Sequence, residues 1–290
     1  MSKAAQLRAN FNELPLTPII GAHNPLSAKL AEQAGFLGIW ASGFELSAAF
    51  GIPDASLISM TQHLDMARAI NDAVSIPVVA DVDTGYGNAI NVMYAVEKYE
   101  AAGMAAVVIE DKQFPKDTSL LAGGRQELLS IEEFQGKIAA AVAARRDRDF
   151  MIIARVEALI AGHGQAEAKC RAEHYVDAGA DAVLIHSKSK TPDEIVEFVN
   201  VWQRETPIVI VPTAYPQLTE KDIIALKKIK MVIYGNHGIR AVVTALEQVF
   251  GQIRNDEGIY NVNKTIVPVA RVFELQGVPQ MKENEKKYLR

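Results

Sequence analysis

The chain has 290 residues, 49% of them hydrophobic, and a formal net charge of −5, which is enough apolar content for a large core and no basic block for nucleic acid. Its one cysteine, Cys170, excludes a disulfide framework and a cysteine-based metal site. The polar N-terminus and the lack of any apolar run near ~20 residues predict a cytoplasmic protein with no membrane partner.

Short apolar runs alternate with amphipathic stretches along the whole chain. The predicted strands are 18–24, 36–43, a run opening at 77, 105–111, 150–157, 182–186, 208–213 and 231–236. The predicted helices are 27–34, 61–74, 88–102, 131–146, 165–178, 192–204, 219–230 and 239–254. Residues 45–56 are predicted as a loop, Thr191 as the N-cap of a helix that has Pro192 at its first position, and Cys170 as a core residue.

Alternation of this kind indicates right-handed βαβ units and a parallel sheet. Eight repeats favour a closed (β/α)₈ TIM barrel over an open doubly wound sheet, and no Gly-x-Gly-x-x-Gly follows the first strand to suggest a dinucleotide fold. We therefore predict a barrel domain over residues 1–258. Residues 259–290 form a predicted helical tail whose apolar stretch, 267–275, indicates packing on a neighbouring subunit in a homo-oligomer.

Carboxylates gather where the predicted strands end, which is the face that carries the active site in barrel enzymes. Asp81 and Asp83 are two residues apart and point to the same side of a strand, so their repulsion must be offset by a proton or a cation. Glu110 ends the next strand, and Asp54 lies in the second loop. These oxygen donors predict a site for a hard divalent cation, Mg²⁺ first and Mn²⁺ or Co²⁺ as alternatives.

Cationic groups share that face. Arg155 on the fifth strand, His186 on the sixth and Lys116 in the segment after the fourth could hold an anionic small-molecule substrate. Glu157 is predicted to be a structural ion-pair partner of Arg155 rather than a base.

The segment 112–130 is long for a strand-to-helix connection, and its prolines and glycines are typical of a hinged lid. Lys116, Thr118 and Ser119 within it can reach an anion. A surface loop with these side chains in water is the alternative, but Glu110 at its root favours a gate that closes over the metal and shields a reactive intermediate there from stray protons.

Three segments are also similar in sequence to a known superfamily: Ala80-Asp-Val-Asp-Thr-Gly-Tyr-Gly87, Glu110-Asp-Lys-Gln-Phe-Pro-Lys116 and Ala154-Arg-Val-Glu157. They resemble the phosphoenolpyruvate mutase/isocitrate lyase superfamily, and the similarity covers nearly the whole chain. It implies that Asp81 binds Mg²⁺ directly, while Asp54, Asp83 and Glu110 hold the metal's waters. The substrate contacts that it implies are Trp40, Ser42, Gly43, Phe44, Arg155 and His186.

The gate sequence separates the branches of this superfamily. The carbon–carbon lyases carry Lys-(Lys/Arg)-Cys-Gly-His with a catalytic cysteine, whereas this chain reads Pro115-Lys-Asp-Thr-Ser-Leu120. The phosphonate-processing branch has Lys-x-(Asn or Thr)-Ser-Leu, with Asn in the mutases and Thr in the hydrolytic members. Thr118, together with Gly43-Phe-Glu-Leu46, makes this chain more similar to the hydrolytic members.

The resemblance therefore implies Mg²⁺-dependent hydrolysis of the P–C bond of 3-phosphonopyruvate to pyruvate and phosphate. The catalytic set that it implies is Lys116, Thr118, Ser119, Arg155 and His186. It also implies a homotetramer, built as a dimer of dimers, that exchanges C-terminal helices between subunits. His186 is the candidate acceptor of the water's proton, because the pKa of a histidine can lie near neutrality.

Three alternatives stay open at this point. The nearest is a phosphoenolpyruvate mutase that tolerates threonine in the gate. A carbon–carbon lyase or decarboxylase is disfavoured by the missing gate cysteine. A non-catalytic metabolite-binding barrel is disfavoured because the carboxylates and cations of the site are all present.

Overall fold

Eight parallel strands close into a barrel in chain order, in a computed structural model that describes residues 1–290. The strands are β1 Thr17–Ala22, β2 Gly38–Ala41, β3 Val78–Asp81, β4 Ala106–Glu110, β5 Met151–Val156, β6 Ala182–Ile185, β7 Ile208–Ile210 and β8 Ile229–Tyr234. Pairing of β1 with β8 completes the ring. The predicted (β/α)₈ barrel is confirmed.

Twelve α-helices accompany the strands. They are α1 Lys3–Glu13, α2 Pro25–Gln33, α3 Gly43–Ala49, α4 Met60–Ala73, α5 Ala89–Ala101, α6 Ile131–Ala144, α7 Gly164–Asp177, α8 Asp193–Val201, α9 Glu220–Ala225, α10 His237–Asp256, α11 Val269–Gln276 and α12 Val278–Tyr288. Two of them, α1 and α3, were not predicted. The loop prediction for residues 45–56 is wrong at its start, because the Ser42 side chain caps α3 by accepting a hydrogen bond from the backbone N–H of Glu45 at 3.2 Å.

Several local predictions are also wrong. The helix predicted over 219–230 ends at Ala225, because β8 already begins at Ile229. Pro192 rather than Thr191 takes the N-cap position of α8, and no side chain caps that helix. Cys170 is half-buried rather than in the core, with its Sγ 3.8 Å from His174 Nδ1 on the same helix.

Side chains that alternate along the strands build two apolar layers. One layer fills the barrel interior, with Val79, Val108 and Ile153 among its members, and Leu7 and Phe11 of α1 join it. The other layer lies between the strands and the surrounding helices. Since the interior is filled by apolar groups, the polar strand ends are left to form a site at the carboxyl face.

The chain divides into two compact units, Met1–Gly238 and Ile239–Arg290. The second unit is helical, and several of its large apolar side chains are exposed: Val243, Leu246, Phe250, Val267, Val269 and Phe273. No helix of the structure has both the length and the apolar content needed to cross a membrane.

Candidate active site

A cavity opens at the carboxyl ends of the strands. Most of the predicted site residues line it: Trp40, Ser42, Phe44, Asp54, Asp81, Lys116, Thr118, Ser119, Arg155 and His186. The three others, Gly43, Asp83 and Glu110, do not line it but contact residues that do. The fold therefore brings together side chains from β2 to β6 and from the loops that follow them.

One ammonium group gathers the acidic side chains. Lys116 Nζ lies 2.6 Å from Asp83 Oδ1, 3.2 Å from Asp54 Oδ1 and 3.6 Å from Glu110 Oε1. Asp81, the last residue of β3, accepts a hydrogen bond on Oδ2 from the Gly43 backbone N–H at 3.1 Å. The sequence predicted that the repulsion among these acids needs a proton or a cation, and in this arrangement Lys116 supplies a cation.

Burial shifts the titration of the cluster. It raises the pKa of Asp83 to about 7, although Lys116 acts in the opposite direction, and it raises the pKa of Asp81. Burial also opposes ionisation of Glu110, but Lys116 and Arg155 outweigh it and hold the pKa of Glu110 below its usual value. The same carboxylates raise the pKa of Lys116 despite its burial, so that its charge is retained.

The donor set fits a hard divalent cation, since it consists of carboxylate oxygens without cysteine or histidine. Both side-chain oxygens of Glu110 are buried and accept no hydrogen bond; their cationic neighbours, Lys116 Nζ and Arg155 Nη2, lie at 3.6 and 3.4 Å. In the structure no group of three acidic, histidine or cysteine side chains is arranged to hold a metal ion, and Lys116 Nζ lies among the carboxylates. A metal bound here would therefore take the place of that ammonium group.

A second polar cluster is centred on Glu157, which is fully buried just after β5. Its Oε1 accepts a hydrogen bond from Arg155 Nε at 2.6 Å and lies 2.8 Å from His186 Nδ1. The predicted ion pair between Glu157 and Arg155 is confirmed, whereas the contact with His186 was not predicted. Burial lowers the pKa of His186 although Glu157 opposes the shift, which favours a neutral imidazole.

The gate segment is held at its root and touches the site at its tip. Lys112 pairs with Leu128 in an isolated antiparallel β-bridge, and the backbone N–H of Gln113 donates to Glu127 O at 2.9 Å. Lys116, Thr118, Ser119 and Leu120 form part of the cavity wall. Residues of the predicted lid thus lie against the predicted site.

The amino-acid sequence matches a known family over most of its length. The family model for phosphoenolpyruvate phosphomutase matches residues 9–254. The chain belongs to the phosphoenolpyruvate phosphomutase family.

Individual members of the phosphoenolpyruvate phosphomutase family are closely similar to it. A phosphonopyruvate hydrolase of Variovorax sp. (strain Pal2) is 61% identical over 290 residues, covering 100% of both chains. A solved phosphonopyruvate hydrolase in complex with oxalate and Mg²⁺ is 59% identical, with a TM-score of 0.95 and 100% of both chains covered. A solved phosphoenolpyruvate phosphomutase from Streptomyces platensis subsp. rosaceus is 52% identical, with a TM-score of 0.97 and 99% of both chains covered.

Three residues without an assigned role complete the cavity wall in this phosphoenolpyruvate phosphomutase family member. Val211, Thr213 and Asn236, from the ends of β7 and β8, line the cavity beside Leu120 of the gate. Thr213 Oγ1 is buried without a hydrogen-bond partner. Thr213 and Asn236 follow predicted strands, so the sequence already places them on the active face, whereas the apolar Val211 gives no such signal and was missed.

Proposed function

We propose that this chain is a phosphonopyruvate hydrolase, which cleaves the P–C bond of 3-phosphonopyruvate with water to give pyruvate and phosphate. The observation that carries the proposal is the gate Lys116-Asp-Thr-Ser-Leu120 at the cavity wall, in a chain 61% identical over its full length to a phosphonopyruvate hydrolase. The gate lacks the cysteine that the carbon–carbon lyases need, and Cys170 lies on α7.

We infer that Asp81 binds Mg²⁺ directly and that Asp54, Asp83 and Glu110 hold its waters. The oxygen-only donor set supports this inference, as does the Mg²⁺ and oxalate complex of the 59% identical hydrolase. When bound there, Mg²⁺ would polarise a keto-carboxylate and stabilise the negative charge left as the P–C bond breaks. A Cβ at Gly43 would lie 3.1 Å from Asp83 Oδ1 and 3.3 Å from Asp81 Oδ2, so glycine keeps room for these carboxylates.

The cationic side of the cavity suits the phosphoryl group. The Arg155 guanidinium, which keeps its charge in this carboxylate-rich site, can stabilise the charge spread over the transferring phosphoryl oxygens. His186 is the proposed acceptor of the water's proton. Its Nδ1 lies 2.8 Å from Glu157 Oε1, which leaves Nε2 as the nitrogen available for that proton.

Two parts of the wall complete the proposed site. Trp40, Ser42 and Phe44 line the cavity and would enclose the pyruvoyl end of the substrate. Thr118 has a shorter side chain than the asparagine of the mutase gate, so it leaves room for the attacking water or orients it. Its backbone oxygen, rather than its hydroxyl, accepts the hydrogen bond from Gln126 Nε2 at 3.2 Å.

The test is to incubate the purified protein with phosphonopyruvate and Mg²⁺ and to follow pyruvate, phosphate and phosphoenolpyruvate together. Equal release of pyruvate and phosphate is expected. Thr118→Ala should lower turnover by about 10- to 100-fold, which corresponds to one lost hydrogen bond in the transition state, with little effect on folding. Thr118→Asn should lower hydrolysis and allow some phosphoenolpyruvate to form. If both variants hydrolyse at the parent rate, Thr118 has no part in the reaction.

A phosphoenolpyruvate phosphomutase is the second candidate, and the 0.97 TM-score to a protein of that name favours it. A mutase must return the phosphoryl group to the enolate oxygen and keep water out. Formation of phosphoenolpyruvate from phosphonopyruvate with no phosphate release would establish this candidate in place of the hydrolase.

We also propose a homotetramer, built as a dimer of dimers, in which residues 259–290 pack on a neighbouring subunit. The exposed apolar side chains of the second unit support it, since Phe250, Val267 and Phe273 would otherwise face water. The barrel domain over 1–258 and the cytoplasmic location stay predictions.

A further inference from the structure

The Glu157 carboxylate lies between the gate and the cationic side of the cavity. On one side its Oε2 accepts a hydrogen bond from Ser119 Oγ at 2.6 Å and lies 3.3 Å from Lys112 Nζ. On the other side its Oε1 holds Arg155 and His186 at 2.6 and 2.8 Å. Glu157 is fully buried, so each of these contacts is shielded from water.

Ser119 is the residue through which the gate reaches this carboxylate. Its hydroxyl donates to Glu157 and accepts from Lys112 Nζ at 2.7 Å and from Arg155 Nη2 at 3.0 Å. One side chain of the gate thus binds both members of the buried Arg155–Glu157 pair. Movement of Ser119 away from the cavity would remove a donor from Glu157 and an acceptor from Arg155.

Glu157 itself is fixed from the other side of the barrel wall. Its backbone N–H donates to Asp111 Oδ1 at 2.9 Å. The other oxygen of Asp111 is held by Tyr175 OH at 2.9 Å and by Arg171 Nη1 at 3.1 Å, both from α7. Because the Glu157 backbone is anchored, the loss of a hydrogen bond at Oε2 can be compensated only by movement of the side chains around it.

We propose that Glu157 is a positioning residue that couples gate closure to the orientation of Arg155 and His186. With Ser119 in place, Oε2 is occupied and Arg155 bonds Glu157 through Nε alone. Its Nη2 then donates to Ser119 and lies 2.9 Å from His186 Nδ1. Without Ser119, the Arg155 guanidinium turns so that it donates to both oxygens of Glu157. This is the bidentate geometry that arginine and carboxylate favour. Arg155 then turns from the cavity, and the site is assembled only beneath a closed gate.

The coupling between gate and cations follows from these contacts alone, while its effect on catalysis rests on the proposed function. The primary measurement is therefore hydrogen exchange of the amides of residues 113–127, with and without oxalate plus Mg²⁺. In the parent protein the two ligands should slow this exchange. In Glu157→Gln, which keeps the shape but not the charge, and in Ser119→Ala, we expect the protection to fall by about tenfold, as for one lost charge-assisted hydrogen bond.

Asp181→Asn is the matched control. Asp181 is also an ion-pair residue, although it is only partly buried, and it bonds Arg8 Nη2 at 2.7 Å and Arg145 Nη1 at 2.5 Å. It precedes β6 at the opposite end of the strands. This variant should lose stability and keep its gate protection. Should Glu157→Gln prove unfolded, Ser119→Ala alone decides, because it removes only a hydroxyl.

Kinetics with phosphonopyruvate provide the second readout. Ser119→Ala and Glu157→Gln should each lower kcat more than they raise KM, and the double variant should lose less than the product of the two single losses. The proposal is overturned if both single variants keep the parent's ligand-induced protection of the gate amides. It is also overturned if the kcat loss of the double variant equals the product of the two single losses. Absence of phosphonopyruvate turnover in the parent would refute the proposed function and leave the exchange result to decide the coupling.

Discussion

Lys116 offers a test of the proposed metal site that needs no substrate. Its ammonium lies within 3.6 Å of the buried Glu110 carboxylate and the largely buried carboxylates of Asp54 and Asp83, and Lys116→Met removes the charge at nearly constant length. Removal of one partner of a buried ion pair costs about 3–5 kcal/mol. At roughly 2–4 °C per kcal/mol for a chain of this size class, the melting temperature in EDTA should fall by about 6–20 °C.

The stability lost in Lys116→Met should depend on pH in a direction that follows from the pKa of Asp83. Asp83 already has a pKa of about 7 with Lys116 beside it, and loss of the ammonium raises its folded pKa further above its unfolded value. A carboxyl group with a raised folded pKa contributes stability at low pH that is lost as pH rises. The loss of unfolding free energy in Lys116→Met, relative to the parent, should therefore be larger at pH ~8.5 than at pH ~6.

The assay is thermal unfolding of the parent and Lys116→Met in EDTA and in saturating Mg²⁺, at both pH values. Because the metal would replace the ammonium, Mg²⁺ should stabilise the variant more than the parent. Lys169→Met is the control, since Lys169 pairs with Glu173 on a half-exposed helix face and such pairs contribute at most about 1 kcal/mol. Equal stability of Lys116→Met and the parent in EDTA, or equal stabilisation by Mg²⁺, would refute the reasoning.

Three further predictions concern the metal, the core and the assembly. Asp81→Ala should abolish pyruvate release and leave the circular dichroism spectrum unchanged, since Asp81 lies at the strand end; undiminished turnover would contradict its role. Burial lowers the pKa of His63 to about 4 from an unfolded 6.5, so the unfolding free energy should rise by about 3 kcal/mol between pH 4 and 6.5, and His63→Gln should flatten that rise in urea titrations. Light scattering at micromolar concentration should give a tetramer that Phe273→Asp weakens, and a monomeric parent would exclude the proposed assembly.

The amino-acid sequence by itself determined the architecture and the end of the barrel at which the candidate site lies. Alternation of strand and helix patterns reflects local periodicity, so it predicted the barrel correctly even where element ends were wrong by a few residues. Asp81 and Glu110 end their strands, and parallel strands in a barrel bring such ends to one face. Seven-residue α3 was missed because so short an element leaves little periodic signal, and α1 because its polar sequence buries only Ala4, Leu7 and Phe11.

Only the tertiary structure decided how the site residues contact one another. Lys116 lies 62 residues from Asp54, and Ser119 lies 38 from Glu157, so neither contact leaves a periodic trace in the sequence. The Lys116 ammonium among the carboxylates and the Ser119 hydroxyl on Glu157 both depend on how the gate folds back over the strand ends. Packing and electrostatics between distant segments set such contacts, whereas composition and spacing report only on neighbours along the chain.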